Sequence, residues 1–260
     1  MQISVRSHLV YNTTQPCNLL LQIEALSDDV QSCRQTRLMF DRDAVHKEIA
    51  AEEGLGTRRW ISTGTLFECT YETVAVISRA PVTLEGLVQT PWMDIPAEVV
   101  KYLMPSRYCH SDLFLDFVSS EFAGLQGGAM IRAMRDWISN NFTYDSGASF
   151  PATTASDSFA SQSGVCRDYA HVLIAFARAA GIPARFASVY GPDVDPQDFH
   201  AVAEVYLNGS WHLVDATGMA KPEEMVRICV GRDAADASFL TAYGGIELVE
   251  QSVEVRRVNS

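Results

Sequence analysis

The sequence predicts an α+β protein with a β-rich amino-terminal half and a carboxy-terminal half in which a helix packs on an antiparallel sheet. Three observations predict this class. Strand-like runs follow one another through about the first 94 residues, and one helix pattern, 164–180, carries a cysteine in its first turn. Two further strand-like runs, 199–207 and 211–217, flank an Asn-Gly pair. A chain of 260 residues that is 47% apolar can bury a substantial core.

The amino-terminal half has the pattern of an antiparallel, sandwich-like unit. Apolar and polar residues alternate within each run, and turn residues separate the runs. The predicted strands are 3–11, 18–26, 33–40 and 65–78. The charged stretch 41–53 is predicted to be a helix or a solvated loop without chemistry of its own.

Helical patterns dominate the middle of the chain. A short helix is predicted over 97–103, in a region punctuated by prolines, and apolar residues at helical spacing predict a second helix over 129–141. Residues 145–164 are rich in Ser, Ala, Thr and Gly and lack a strong period, although 155–160 could form a short helix. Because this long segment leads directly to a helix-start cysteine, we expect it to form a wall facing the substrate.

The change in composition after the prolines predicts two domains. The first is a β-rich amino-terminal domain, 1–115, and the second is a core with carboxy-terminal strands, 116–260. Within the core, further strands are predicted at 224–230 and 246–257, where they could close its sheet.

Composition and charge exclude several classes of function. Lysine and arginine number 20 against 32 aspartates and glutamates, a net charge of −12 that argues against binding nucleic acid or an anionic membrane. The first residues alternate like a strand and do not resemble a signal peptide, and no apolar run approaches the ~18 residues of a membrane span. We therefore expect a soluble cytoplasmic protein. The six cysteines are spread without paired short spacings, which argues against a disulfide framework or a zinc ribbon.

Cys166 differs from the other five cysteines because it lies at the start of a helix. With Ser163 as the expected cap, Cys166 occupies the third helical position, where free backbone amides and the helix dipole favour an anion. The same position favours a thiolate and can offer an amide to an oxyanion. The remaining cysteines are expected to be small buried hydrophobic residues.

Three histidines compete for the role of base beside this thiol. His171 lies five residues after Cys166 on the same helix and is therefore turned roughly 140° away from it, so we expect it to be a packed core residue. His200 and His212 lie on the two strands that flank the Asn-Gly pair. The hairpin register decides between them.

A two-residue turn at the Asn-Gly pair places Leu207 opposite Ser210. In that register His200 and Asp215 share one face of the sheet as diagonal neighbours. His212, an odd number of residues from Asp215, points to the opposite face. The register therefore selects His200 as the base and Asp215 as the group that orients its ring, although a three-residue loop would reverse the parity.

These segments resemble the transglutaminase-like superfamily of thiol enzymes, in the bacterial branch described as cysteine proteases. The motifs are GVCRDYAHVLIAFARAAGIPARF, DFHAVAEVYLNGSWHLVDAT and GRDAAD, within about 130–233, and the β-rich start is similar to the amino-terminal region of that branch. The resemblance implies a papain-like core after a β-sandwich-like domain, with Cys166 as nucleophile, His200 as general base and acid, and Asp215 as orienting residue. The resemblance also implies that Gln162 assists the Cys166 amide in forming an oxyanion hole, and it implies no cofactor and no metal.

Attack of the Cys166 thiolate on a peptide or glutamine-type amide, giving a thioester, is the leading hypothesis for function. We expect water to resolve the thioester, although an amine acceptor would make the protein a transglutaminase. Two other hypotheses are a catalytically silent module that binds peptides, and a metal site built from Cys166, His200 and Asp215. The expected partner is a peptide or protein substrate, and the sequence leaves the oligomeric state open.

Overall fold

The computed structural model describes residues 1–40 and 44–258. Three four-stranded antiparallel sheets dominate it. The strands of the amino-terminal half are β1 (Gln2–Thr13), β2 (Cys17–Leu21), β3 (Gln31–Phe40), β4 (Val45–Ala50), β5 (Thr57–Thr63) and β6 (Leu66–Ile77). Later strands are β7 (Thr143–Tyr144), β8 (Ser163–Gly164), β9 (Ala184–Tyr190), β10 (His200–Leu207), β11 (Ser210–Val214), β12 (Val226–Gly231), β13 (Leu240–Tyr243) and β14 (Ile246–Arg257).

Helices lie mainly between the two groups of strands. The α-helices are α1 (Ala97–Val100), α2 (Leu115–Glu121), α3 (Gly127–Asn141), α4 (Ala155–Ser161) and α5 (Cys166–Ala179). Short 3-10 turns are Glu52–Gly54, Leu84–Gly86, Trp92–Asp94, Lys101–Leu103, Ser111–Phe114, Ser146–Ala148 and Pro222–Glu224. In the described part of the chain, every helix is too short or too polar to span a lipid bilayer.

Two of the sheets form the predicted sandwich-like unit. Their strand orders are β14-β1-β6-β3 and β13-β2-β5-β4. Alternate residues of β1 and β6 are buried, and inward-facing side chains of both sheets belong to one hydrophobic cluster, for example Ile3, Phe67, Leu19 and Ile61. The period-2 alternation that predicted this unit is therefore the burial pattern of its strands.

The third sheet, in the order β11-β10-β9-β12, is the core sheet, and α5 packs against its β10 and β9. The predicted α+β class and the helix-on-sheet core are thus confirmed. The predictions for 97–103, 129–141 and 155–160 correspond to α1 with its following turn, α3 and α4. Strand β9 was not predicted as a strand, because all seven of its residues are buried, including Arg185 and Ser188, so its sequence lacks the alternation of a half-buried strand.

The prediction of a helix or solvated loop for the charged stretch 41–53 was wrong for Val45–Ala50, whereas Glu52 and Glu53 lie in a short 3-10 turn. Val45–Ala50 is an edge strand, β4, paired with β5, and residues 41–43 lie outside the described residues. Most side chains of β4 are exposed, so its sequence lacks the apolar alternation that identifies a half-buried strand. Hydrogen bonds to the backbone of β5 define it as a strand instead.

The carboxy-terminal strands return to the amino-terminal sheets. Only β12 joins the core sheet, whereas β14 pairs with β1 and β13 pairs with β2. The expectation that 246–257 closes the core sheet was therefore wrong. The alternating pattern of 246–257 belongs instead to a strand of the sandwich-like unit. Its buried residues Val253 and Val255 join a hydrophobic cluster that also includes residues of α5 and the core sheet. The division of the chain at 115/116 stays a prediction.

Candidate active site

The thiol of Cys166 lies at the electropositive tip of α5. Cys166 is the first residue of the helix, and Val165 is the cap, with an extended backbone. The expectation that Ser163 caps the helix was wrong, because Ser163 belongs to β8, which pairs with β7. The Asp168 carboxylate accepts the backbone N–H of Val165 at 2.9 Å and closes the first turn. Cys166 is therefore two positions nearer the helix tip than predicted.

Asp168 and Gly164 form a tight unit around this helix start. The Asp168 side chain is fully buried, and it pairs with the guanidinium of Arg167 at 3.1 Å. Gly164 has φ +153°, and a Cβ at this position would lie 2.7 Å from side-chain atoms of Asp168. Gly164 is thus a structural requirement of this helix start, since only glycine fits beside the buried carboxylate.

Arg167 connects the helix start to the preceding loop. Its Nη2 donates to the Ser149 hydroxyl at 2.9 Å and to the Phe150 carbonyl at 2.6 Å. The Phe150 side chain remains 64% exposed. Part of the segment that we expected to face the substrate is therefore held next to the thiol-bearing turn.

The hairpin of β10 and β11 has the predicted register. Leu207 pairs with Ser210, and the ladder continues to the pair Ala203 and Val214. Asn208 and Gly209 both have positive φ, 52° and 75°, as a two-residue type I′ turn requires. The local Asn-Gly signal therefore sets the positions of the two strands that carry the imidazole and the carboxylate.

His200 and Asp215 meet as this register predicts. The Nε2 atom of His200 lies 2.9 Å from Oδ2 of Asp215, and both side chains are almost completely buried. Asp215 also accepts the backbone N–H of Ala220 and both the N–H and the hydroxyl of Thr217. Burial acts to raise the pKa of Asp215, but these hydrogen bonds lower it overall. The carboxylate is therefore held ionised and fixed in orientation.

The other edge of the His200 ring faces Cys166. Its Nδ1 is buried and makes no hydrogen bond of ordinary geometry, but the Cys166 side chain lies close enough to act on the ring. Burial acts to lower the pKa of His200, whereas the hydrogen bond to Asp215, the nearby Cys166 side chain and the charges of both raise it to about 10. An imidazolium is thus stabilised between a carboxylate and a thiol.

The remaining histidines of this region have packing roles. His171 is fully buried, its ring stacks on Tyr108, and its Nε2 accepts the backbone N–H of Ala234 at 3.2 Å. Burial holds the pKa of His171 well below its ordinary value. His212 lies beside the Leu207 carbonyl and the Ser210 hydroxyl. Both observations agree with the choice of His200.

Gln162 ends α4 in a left-handed conformation and is exposed. Its backbone carbonyl accepts the N–H of Thr143 at 2.9 Å and so joins the two-stranded pairing of β7 and β8. The role of its side chain in an oxyanion hole stays a prediction.

Tyr144 is a site residue that the sequence reasoning missed. Its hydroxyl interacts with both the side chain and the backbone N–H of Cys166. Burial and the charge of Cys166 raise the pKa of Tyr144, while the backbone hydrogen bond opposes that rise. Tyr144 lies on β7, opposite Gly164 of β8, two residues before the thiol. A strand of two residues has no periodicity, so no sequence signal pointed to it.

Within residues 1–40 and 44–258, no group of three or more His, Cys, Asp and Glu side chains is arranged to hold a metal ion. His200 binds Asp215 directly, and the Cys166 side chain lies near the ring of His200.

Comparison with known proteins gives one family. Residues 121–216 match the family described as the Transglutaminase-like superfamily. The crystal structure of a "putative cysteine protease" from Cytophaga hutchinsonii is 30% identical, covers 100% of this chain and 91% of its own, and superposes with a TM-score of 0.92.

Two more distant proteins also match. The uncharacterized protein ML0607 of Mycobacterium leprae (strain TN) is 27% identical over 121 residues, which are 43% of each chain, so the match spans less than half of that relative. The periplasmic domain of TgpA from Pseudomonas aeruginosa is 19% identical over 83% of this chain and 77% of its own, with a TM-score of 0.43.

Proposed function

This protein belongs to the transglutaminase-like superfamily, and on that premise we propose that it is an enzyme that hydrolyses a peptide or glutamine-type amide through a cysteine thioester. The observation that carries the proposal is the arrangement of three side chains. The Cys166 thiol at the helix tip lies near the buried His200 ring, and the Asp215 carboxylate binds the opposite side of that ring. The relatives support a thiol-dependent function in general. The choice of hydrolysis follows the name of the relative from Cytophaga hutchinsonii.

Acylation begins with the Cys166 thiolate attacking the carbonyl carbon of the substrate amide. The carbonyl oxygen becomes an oxyanion, and the backbone N–H of Cys166 at the helix tip, which the Tyr144 hydroxyl contacts in the structure, can donate to it. His200, as an imidazolium, donates its proton to the leaving amine, so that the C–N bond breaks and a thioester remains on Cys166. Asp215 keeps the imidazole in orientation and stabilises its positive charge.

Deacylation uses the same groups in reverse. Neutral His200 removes a proton from a water molecule, which attacks the thioester carbonyl. The C–S bond breaks, a carboxylic acid leaves, and the proton on His200 restores the thiolate–imidazolium pair. An amine in place of water would give a new amide, which is the transglutaminase alternative. A silent peptide-binding module is the second alternative.

Tyr144 and Gln162 are two candidates for a second donor to the oxyanion. The Tyr144 hydroxyl interacts with the backbone N–H of Cys166, close to where an oxyanion would bind. Gln162 is exposed at the end of α4, and its candidacy follows from the family resemblance. Comparing Tyr144→Phe with Gln162→Ala separates them, since loss of a true oxyanion donor lowers kcat by about 10²-fold or more.

The proposal is tested by trapping the acyl-enzyme. The protein is incubated with peptide libraries, with and without added amines, quenched in acid and analysed by mass spectrometry for an acyl group on Cys166. Cys33→Ala is a matched control, because Cys33 is another half-buried thiol, placed 3.5 Å from the Ala25 carbonyl in the amino-terminal sheets. We expect wild type and Cys33→Ala to turn over substrate and Cys166→Ala to be inactive.

Each alternative has its own outcome in this experiment. Products that contain the added amine would favour the transglutaminase. Peptide binding without turnover, together with a Cys166 thiol inert to iodoacetamide near neutral pH, would favour the binding module. Equal turnover by Cys166→Ala would end the thiol hypothesis.

A cytoplasmic location is part of the proposal. It is supported by the thiols that remain outside disulfide bonds, as in a reducing compartment, at Cys17, Cys33, Cys109, Cys166 and Cys229. Fractionation of cells that express the full chain tests it, and recovery in an extracytoplasmic fraction would contradict it.

A further inference from the structure

The loop 146–154 leads from β7 to α4 and has few contacts with the rest of the protein. In the described part of the chain, side chains of only two residues outside the loop donate hydrogen bonds into it. Arg167 donates to the Phe150 carbonyl at 2.6 Å, and the Tyr108 hydroxyl donates to the Pro151 carbonyl at 2.8 Å. No residue of the loop belongs to the described hydrophobic clusters. The position of the loop therefore depends mainly on these two side chains.

Both side chains are attached to the helix that carries the thiol. Arg167 follows Cys166 in α5 and pairs with the buried Asp168. The ring of Tyr108 stacks on His171 of the same helix, with ring centroids 5.1 Å apart. The guanidinium of Arg167 also lies over the Tyr108 ring, 5.8 Å from its centroid. The loop is therefore held against the first turns of α5 by two side chains that contact each other.

The GRDAAD motif, residues 231–236, holds Tyr108 in turn. Asp233 of this motif is almost completely buried, and its Oδ2 accepts the backbone N–H of Tyr108 at 2.9 Å. The carbonyl of Tyr108 accepts the N–H of Ala155, the first residue after the loop, at 2.8 Å. Tyr108 is thus fixed through its ring and its backbone, and its hydroxyl is left to bind the loop. The motif supports a residue beside the site, although it supplies no group to the proposed reaction.

The loop presents one exposed aromatic side chain. Phe150 is 64% exposed, although its carbonyl binds Arg167 and its N–H donates to the Thr153 hydroxyl at 2.9 Å. Because Arg167 is the residue after Cys166, Phe150 lies beside the turn that carries the thiol. An exposed phenyl group on a backbone that is already ordered can bind an apolar partner at a low cost in conformational entropy.

We propose that Phe150 contacts an apolar side chain of the peptide substrate, and that Tyr108 is the positioning residue that holds Phe150 in place. This inference rests on the proposed function, since it concerns the peptide that the Cys166 thiolate attacks. An extended peptide spans at most about 3.6 Å per residue, so the contacted side chain lies within a few residues of the amide that is cleaved. The contact is made before and during bond breaking alike, so its loss raises KM and leaves kcat unchanged.

Alkylation of Cys166 in the full chain tests the inference without requiring turnover. The probes are iodoacetamide and acetylated trialanine chloromethyl ketones, which carry phenylalanine at one of the three positions in turn or at none. The thiolate displaces chloride, and mass spectrometry over time gives the affinity and the maximal rate of modification. We expect one phenylalanine probe to modify wild type about tenfold faster than the alanine probe. In Phe150→Ala and Tyr108→Phe this preference should fall to about twofold through weaker binding, with the maximal rate and the iodoacetamide rate unchanged.

Two matched variants serve as controls. The Tyr190 hydroxyl also donates to a backbone carbonyl, that of Ile23, at 2.7 Å, so Tyr190→Phe removes the same kind of bond away from the loop. Trp92 is an aromatic residue that is 71% exposed, and it lies at Gly181, beyond the far end of α5 from the thiol. Tyr190→Phe and Trp92→Ala should both keep the wild-type preference.

The outcomes separate this inference from the proposed function. If none of the probes modifies Cys166, the proposed reaction fails and the inference fails with it. If Cys166 reacts but phenylalanine gives no advantage at any position, or if the advantage persists in Phe150→Ala, the inference alone is overturned. An equal fall in the iodoacetamide rate of Tyr108→Phe would show that Tyr108 acts on the thiol, and would overturn its positioning role. Because Phe150 is exposed, Phe150→Ala still decides the contact if Tyr108→Phe fails to fold.

Discussion

The hydrogen bond between Asp215 and His200 gives a sharp prediction about pH. The substitution Asp215→Asn keeps the size of the side chain but removes the negative charge that faces the ring. It also replaces one of the two acceptor oxygens of the carboxylate by an NH2 group, which can only donate. The variant therefore isolates the charge that stabilises protonated His200.

The magnitude follows from the protonation of the ring. Burial acts to lower the pKa of His200, but hydrogen bonding and charge from Asp215 and Cys166 raise it from the ordinary 6.5 to about 10. This difference corresponds to about 5 kcal/mol in favour of the protonated ring. Because Cys166 supplies part of it, we expect the pKa of His200 to fall by about 1 to 3 pH units in Asp215→Asn.

Activity and stability should both report this change. The alkaline limb of turnover should lie near pH 10 in wild type, where His200 loses the proton that it donates to the leaving group, and lower in the variant. At a fixed pH near 8, turnover should fall by about 10² to 10⁴-fold. The raised pKa of His200 stabilises the folded state fully below pH 6.5, and this stabilisation is lost as pH rises through about 10.

The assays are a pH–rate profile, an NMR titration of the His200 ring, and urea unfolding at about pH 6 and about pH 10.5. The wild-type advantage in unfolding free energy should be larger at the lower pH. Asp236→Asn is a matched control, because its carboxylate is also held by hydrogen bonds but binds Arg232. The reasoning would be refuted if the alkaline limb of the pH–rate profile and the NMR titration of His200 were the same in Asp215→Asn as in wild type.

Three further predictions concern the site and its support. Gly164→Ala should lower the free energy of unfolding by about 1 to 3 kcal/mol, because the new Cβ would clash with Asp168. Urea unfolding measures this, and an unchanged unfolding midpoint would contradict the close packing of Gly164 on Asp168. Tyr144→Phe should lower kcat by about 10²-fold while the unfolding midpoint stays within error, and unchanged kcat would remove Tyr144 from the mechanism. Glu204→Gln should cost about 3 kcal/mol, since two buried arginines each lose one of their two carboxylate partners, whereas the exposed Glu247→Gln should be neutral in the same thermal unfolding assay.

Much of the site could be predicted because its signals are local. An Asn-Gly turn fixes strand register within a few residues, so the pairing of Leu207 with Ser210 and the meeting of His200 with Asp215 both followed from it. The amphipathic pattern of α5 predicted a helix at the thiol, with an error of two positions at its start. That error arose because Ser163 is a good cap by residue type, whereas strand pairing with β7 takes it out of the helix.

Other features depend on contacts between distant parts of the chain. The alternating pattern of β14 identifies a strand but not its partner, and only the folded chain places it beside β1 at the opposite end of the sequence. Likewise, Tyr144 reaches Cys166 through the short parallel pairing of β7 with β8. Arg79 donates to the carbonyls of Pro222 and Met225, more than 140 positions away.

The amino-acid sequence alone therefore determined which groups form the candidate site, because turns, strand alternation and helix periodicity are set by neighbouring residues and place a thiol, an imidazole and a carboxylate on known elements. Tertiary structure decided the environment of these groups. Whether a side chain is buried, and which charge or hydroxyl lies beside it, depends on which distant elements pack together. Local patterns carry no information about those long-range contacts, yet the contacts are what raise the pKa of His200 and bring Tyr144 to the thiol.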